Sequence, residues 1–441
     1  MAAGATSAGL GGGTGRSGCE LPLGRRVEAG GRQQLRVADL LSQYAADFVR
    51  HNRPQAVPHV QSTLAKLSLC RTAALGGHLY QCESCDHSCI VHNSCGDRHC
   101  PQCSGAKRRD WLDSSEKLLL EGMDYYQVVF TIPDKLSSLT LGNRRVMFNL
   151  LFRSAWRALQ QVVQDEQQFE AAAAMMLHTW NQKLESHVHV HAFVPGGGPS
   201  LQDPKKWITS HPPAHETQNR FWLVDADELR VAFRTIFLNG LRRLHVRGEL
   251  RLDGECAFLR DASAFEAWLM PLESVKWATH IQAPPKSSSP ENVLKYLARY
   301  MTGGPISDRR LVRHENGMVT FSARTGTTAG GSDETEEVVV PGTEFVRRWA
   351  MHILPKGYTK TRRYGGYSNY HRKRYMAECR ELLSISETSA DDLSTAVADD
   401  APAEHRCPQC ESLMVCTSRR NRPGWAVVMI GSARPIWYDD G

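Results

Sequence analysis

The sequence predicts an α+β chain in which a sheet is covered by helices and preceded by a small metal-binding module. Three observations lead there. Tyr125-Tyr126-Gln127-Val128-Val129-Phe130-Thr131-Ile132, closed by Pro133, is an apolar, β-rich run of the kind buried at a sheet centre. A helical pattern from Leu141 to Val163 follows, with Met147, Leu150, Leu151, Trp156 and Leu159 on its apolar side, and then a strand at Ser186–His191. Strand, helix, strand is the order that a helix-covered sheet requires. Ahead of all three, cysteines crowd into a short segment: seven of the chain's 13 lie between Cys70 and Cys103.

At 441 residues the chain can hold more than one domain, and 41% hydrophobic with 23% charged residues is ordinary for a globular protein. No basic, then apolar leader opens the sequence, and no apolar run is long enough to cross a bilayer. Cysteines clustered in such a chain indicate zinc in a reducing compartment rather than disulfides, so a cytoplasmic location is expected. The net charge of +6 is modest, and the partner depends on where the charge lies.

Ser186-His187-Val188-His189-Val190-His191 is the first chemistry-bearing stretch. A strand sends alternate side chains to opposite faces, so His187, His189 and His191 share one face while the valines enter a core. Neighbouring histidines stand roughly 7 Å apart and the outer pair about 13 Å apart. Two strand histidines can therefore reach one divalent ion, Mg²⁺ or Mn²⁺, with further ligands from elsewhere or from a bend. Gln182, Glu185 and His280 are candidates to complete the shell. The strand breaks at Pro195-Gly196-Gly197-Gly198. The second stretch is Lys295-Tyr296-Leu297-Ala298-Arg299-Tyr300, within a helix expected over Glu291–Met301. Tyr296 and Tyr300, at i and i+4, share a helix face, so two phenols can serve one site in turn. A phenol oxygen attacks phosphorus when a divalent ion withdraws charge from the phosphate.

Cys82-Glu83-Ser84-Cys85 and Cys100-Pro101-Gln102-Cys103 are two Cys-x2-Cys knuckles fourteen residues apart, a spacing that can close four thiolates on a structural Zn²⁺. Cys70, His78, Cys95 and His99 offer a second Cys2His2 set, for which Cys89 and His92 could substitute. Cys407-Pro408-Gln409-Cys410 is half a knuckle, with only Cys416 and His405 beside it.

Between Val37 and Lys373 the chain resembles the two-tyrosine transposases of the HUH (histidine-hydrophobic-histidine) endonuclease superfamily, carried by rolling-circle insertion sequences. The resemblance rests on Cys70-Arg71-Thr72-Ala73-Ala74-Leu75-Gly76-Gly77-His78, on Asn93-Ser94-Cys95 through Arg98-His99-Cys100-Pro101, and on Val128-Val129-Phe130-Thr131-Ile132-Pro133. It continues in the histidine stretch with its glycines, the tyrosine helix, and Leu354-Pro355-Lys356-Gly357. It implies a catalytic domain with an antiparallel, RNA-recognition-like sheet, a divalent ion on the histidine strand, and a tyrosine that cuts single-stranded DNA to leave a 5′-phosphotyrosine and a free 3′-OH. Val188 stands where the family pattern leads one to expect proline, a substitution that suits a strand.

Taken in order, residues 1–36 read as a disordered extension, 37–106 as a zinc-binding DNA-recognition domain opened by a helix from Val37 that packs on it, and 107–122 as a connecting helix. Residues 123–375 form the catalytic domain. Within it Trp207–Gln218 is a polar surface insertion, Ala226–Arg247 a helix and Val275–Ile281 a central strand. Val319–Phe321 and Val338–Val340 make a hairpin, and Glu344–Ile353 a helix. Lys356–Arg374 carries seven Lys or Arg, no acid and four tyrosines, Tyr358, Tyr364, Tyr367 and Tyr370. Cations interleaved with stackable rings suit single-stranded DNA. Arg299, Lys356, Lys360, Arg362, Arg363, Arg372, Lys373 and Arg374 are the candidate contacts. Residues 376–405 contain an acidic, disordered linker, and 406–441 a tail. Transposition at element ends is the function expected. A rolling-circle replication initiator or relaxase uses the same residues, and a zinc-containing DNA-binding regulator uses the module without the chemistry.

Overall fold

The computed structural model describes residues 35–103, 109, 112–214, 221–282, 304–327, 333–384 and 405–430. In chain order it has α1 (Val37–His51), α2 (Pro58–Ser68), β1 (Gly77–Cys82), β2 (Ser88–His92), β3 (Tyr125–Thr131) and α3 (Arg144–Gln167). Then come β4 (Ala172–Trp180), β5 (Ser186–Pro195), β6 (Gly197–Pro199), β7 (Trp207–Thr209), α4 (Ala226–Val246), α5 (Ala262–Ser274) and β8 (Ala278–Gln282). The chain continues through β9 (Leu311–Glu315), β10 (Met318–Thr327), β11 (Asp333–Pro341), α6 (Gly342–Ala350), β12 (Thr361–Gly365), α7 (Arg372–Leu382) and β13 (Met414–Arg420). This is the α+β architecture the sequence predicts. It divides into two compact units, the smaller drawing on Leu69–Cys95 and Asp399–Arg434, the larger on Leu35–Ser68 and Gly96–Ala398.

The larger unit is built on a five-stranded sheet of order β12-β4-β5-β3-β8, every neighbouring pair antiparallel. Period-two alternation in β5 sends Val188, Val190, Ala192 and Val194 into one core, where they join Leu151, Ala155 and Leu159 of α3 and Phe233 and Phe237 of α4. Asp225 starts α4 by accepting from the backbone N–H groups of Asp227 and Glu228, both at 2.8 Å. On the other face Phe193 stacks on Tyr125 with ring centroids 4.6 Å apart, in a second core that includes Tyr375, Met376 and Cys379 of α7. The same face, further along β5, carries the histidines.

Two strands of this sheet escape the sequence reading. In β4 every residue from Ala172 to Thr179 is buried, so no alternation of apolar and polar residues marks it as a strand. The basic stretch contains β12, which pairs with β4 from Thr361↔Met176 to Gly365↔Ala172. The strand expected at Val275–Ile281 is present as β8, but among the described residues it pairs only with β3 and stands at the edge of the sheet rather than at its centre. The predicted hairpin is β10–β11, extended by β9 into a three-stranded sheet. The polar insertion begins with β7, paired to the glycines of β6.

Helix α1 is present as expected, but it packs on α2 and α6 within the larger unit. Ala38, Leu41, Ala45 and Phe48 make its buried face. In the smaller unit β1 pairs on one side with β2 and on the other with β13, so the segment read as a tail supplies a strand.

Gly365 ends β12 with φ +56°, and a Cβ there would lie 2.0 Å from the Ala171 carbonyl oxygen. Backbone against backbone cannot relax as two side chains can. Gly365→Ala is expected to destabilise the larger unit by about 2–3 kcal/mol, read as a lowered urea midpoint with unchanged slope.

Candidate functional site

β5 holds His189 and His191 on the face opposite its core valines, and β4 brings a third imidazole, because His178 lies directly across from His189. The ligand atoms of His178, His189 and His191 all lie within 4.8 Å of one another. His187, expected as a member of this set, falls outside it. Its side chain is 39% exposed at the strand's start, with Nδ1 3.8 Å from the Asp134 carboxylate.

The ring orientations are fixed from behind. Nδ1 of His189 donates to the His187 carbonyl oxygen at 2.9 Å, leaving Nε2 for the shared centre. The Gln127 amide lies 2.6 Å from Nδ1 of His191, one strand away on β3. His178 stacks on Trp180, and buried His352 contacts the Thr179 hydroxyl at 3.1 Å and the Leu184 carbonyl oxygen at 3.2 Å, bracing the β4–β5 hairpin from below. Burial, with His191, His187 and Lys360 nearby, pulls His189 down to about 3. Burial and Lys360 pull His191 down to about 4. Both rings are thus neutral at physiological pH, the state in which an imidazole has a lone pair to offer a metal.

No carboxylate joins the three among the described residues. Glu185 lies in the hairpin turn, where Asn181 donates to it at 2.9 Å and Arg348 stands 3.6 Å away. Gln182 is in the same turn, its carbonyl oxygen accepting from Arg310. His280 is on edge strand β8, outside the triplet. Three neutral donors would leave a divalent ion its full charge. His178 was legible only through β4, and the run that hides β4 hides the histidine with it. Tyr296, Tyr300 and Arg299 lie outside the described residues.

The cysteines combine differently from their order in sequence. Cys82 and Cys85 meet Cys407 and Cys410, with Cys82–Cys410 sulfurs 3.4 Å apart and Cys85–Cys407 and Cys85–Cys410 sulfurs 3.5 Å apart. A tetrahedral ion takes four ligands, so this set has no place for Cys100 and Cys103, which belong to the larger unit. Of the second expected set, Cys70 and Cys95 are together, the Cys95 N–H donating to Cys70 Sγ at 3.4 Å. His78 is held in β1 between Val91 and Arg419. His99 is committed elsewhere: its Nδ1 lies 2.8 Å from Asp97 Oδ1, and its Nε2 accepts from the Leu354 N–H at 3.1 Å.

Known proteins share this arrangement of segments. Residues 173–374 match a family described as putative transposase, and residues 40–132 match a transposase zinc-binding domain. A putative transposase of Sinorhizobium fredii is 33% identical over 86% of this chain and 94% of its own length. The chain belongs to this transposase family. The transposase for insertion sequence element IS801 of Pseudomonas savastanoi pv. phaseolicola is 27% identical over 74% of each chain. No solved structure matches. The chain is therefore a transposase with a zinc-binding domain, and its substrate is DNA. Among the described residues no helix is long and apolar enough to cross a membrane.

The matched region 173–374 contains all three clustered histidines and the basic stretch. In the transposase most of that stretch's rings are structural. Tyr358 and Tyr367 are 2% and 0% exposed, their hydroxyls donating to Asn149 Oδ1 and the Leu118 carbonyl oxygen at 3.2 and 3.1 Å. Tyr364 stacks on Trp156, and Tyr370 alone of the four is open, at 89% exposure. The cations divide likewise. Arg362 is engaged with Asn149, Phe152 and Tyr358, and Arg374 pairs with Glu170 and Glu378. Arg363 reaches Ser114, and Lys356 and Lys373 are exposed while Arg372 is partly so. Lys360 has its ammonium 5.1 Å from the Trp180 ring centroid, beside the histidines, and burial with Arg98 nearby pulls it down to about 7.

His178→Ala, His189→Ala and His191→Ala are each expected to weaken Mn²⁺ binding about 100-fold or more, and His187→Ala less than about 10-fold. Calorimetric titration of each variant with Mn²⁺ checks the order. Equal losses at all four positions would remove His178 from its special place.

Proposed function

We propose that this transposase nicks and rejoins single-stranded DNA at element ends through a 5′-phosphotyrosine. The observation that carries the proposal is the convergence of His178, His189 and His191 on one face of the sheet, with burial keeping His189 and His191 neutral. Neutral imidazoles suit Mn²⁺ better than Mg²⁺, which prefers oxygen donors. When bound, such an ion withdraws charge from the scissile phosphate.

The chain's own groups supply the rest. Tyr296 or Tyr300 attacks phosphorus: the Oη–P bond forms, the bond from phosphorus to the 3′ oxygen breaks, the phenol gives up its proton and the 3′ oxygen takes one up. The phosphodiester is conserved in the phosphotyrosine, so the same 3′-OH, or one from another strand, can reverse the step and join ends. A phenol's ordinary pKa of about 10 keeps it protonated at neutral pH, so stabilising charge on the phosphate is what makes it competent. Lys360, beside the histidines, is placed to meet a phosphate oxygen. Lys356, Arg372 and Lys373, with Tyr370 exposed among them, supply a path for the strand.

Incubation with labelled single-stranded oligonucleotides and Mn²⁺, followed by denaturing electrophoresis, is expected to leave DNA attached to the protein. Tyr296→Phe and Tyr300→Phe should each impair complete transposition, and the double variant should lose attachment while still binding DNA. Persistent attachment in the double variant would place the nucleophile elsewhere. Cleavage without attachment would make the enzyme a hydrolytic nuclease, and binding without cleavage by the unaltered chain would make it a regulator.

A further inference from the structure

We infer that the zinc-binding module is completed by the C-terminal segment: Cys82, Cys85, Cys407 and Cys410 hold one Zn²⁺ that clasps β1 to β13. The matched zinc-binding domain spans residues 40–132, so two of the four ligands lie outside it.

The two knuckles are built alike. In each, the residue after the second cysteine adopts a left-handed conformation, Asp86 at φ +53° and Glu411 at φ +60°. In each, the first cysteine's N–H donates to the carbonyl oxygen five residues on, Cys82 to His87 and Cys407 to Ser412, both at 2.8 Å. Each turn leads into a strand, β2 or β13. The Gln409 N–H donates to Cys407 Sγ at 3.4 Å, a bond that favours the thiolate. Sequence echoes the geometry in Cys82-Glu-Ser-Cys85-Asp86 and Cys407-Pro-Gln-Cys410-Glu411.

The pair spacing fits zinc and not disulfides. Sulfur separations of 3.4 to 3.5 Å lie far from a covalent bond of about 2.05 Å. They approach the roughly 3.8 Å edge of a tetrahedron with Zn–S bonds of about 2.3 Å. Strand pairing brings the knuckles face to face, since Cys82 is in register with Met414. Cys82, Cys89, Cys407 and Met414 form a small apolar cluster under the site, and the Tyr80 and His405 rings meet edge to face with centroids 4.2 Å apart. So little apolar burial cannot hold two distant segments by itself, and the ion supplies the missing free energy.

Metal analysis of full-length variants tests the clasp. Cys82→Ser/Cys85→Ser and Cys407→Ser/Cys410→Ser should each lose one zinc per chain, and the variant carrying all four changes should also lose only one. Full zinc retention by Cys407→Ser/Cys410→Ser, or a loss of two from the fourfold variant, would overturn the proposal. A second measurement does not depend on cysteine variants folding. With a site-specific protease sequence inserted after Ser394, the cut chain should keep its C-terminal fragment on gel filtration in zinc and release it at least about 10-fold more readily after chelation. Equal retention with and without zinc would overturn the clasp as well.

Discussion

The register of β4 against β5 is the constraint on which the site depends. Pairing His178 with His189 places three imidazoles around one point, and because strand side chains alternate strictly, a slip of one residue would turn β5's histidines into the core and its valines into solvent. The apolar face of β5, packed on α3 and α4, is what prevents that slip. His352, bridging Thr179 and Leu184, fixes the hairpin from the buried side. The histidine geometry is thus a consequence of the core, not of the histidines' own interactions.

The sheet is also divided along its length. On the histidine face, one end is closed by Phe193, Tyr125 and α7, while the other carries the imidazoles. The edge strand β12 follows Lys360, which lies beside the histidines, while Tyr367 packs into the closed end and Tyr358 and Tyr364 pack on the core of the other face. A stretch that looks uniform in sequence therefore has two roles: its rings mostly pack inward, and Lys356 and Lys373 are exposed.

In the smaller unit the balance of forces is different. A three-stranded sheet with a four-residue apolar cluster is too little to be stable alone, and two knuckles of the same build stand where a metal would bind them. Most of the larger unit, Gly96–Ala398, lies in sequence between the two halves of this unit. Two segments far apart in sequence are thereby joined in one module.

What the sequence by itself determined is local. Period-two alternation marks β5 and its histidine face, the apolar run marks β3, helical periodicity marks α1, α3 and α4, and the motifs place the chain in its transposase family. What tertiary structure decided is pairing across distance. Cys-Pro-Gln-Cys occurs at both 100–103 and 407–410, and nothing in spacing prefers the second as partner to Cys82 and Cys85 across 325 residues; the β1–β13 register does. His178 and the buried tyrosines of the basic stretch were hidden for a related reason. Burial on both faces erases periodicity, and only the packed sheet shows which side of β4 meets the histidines and which rings of the stretch face inward.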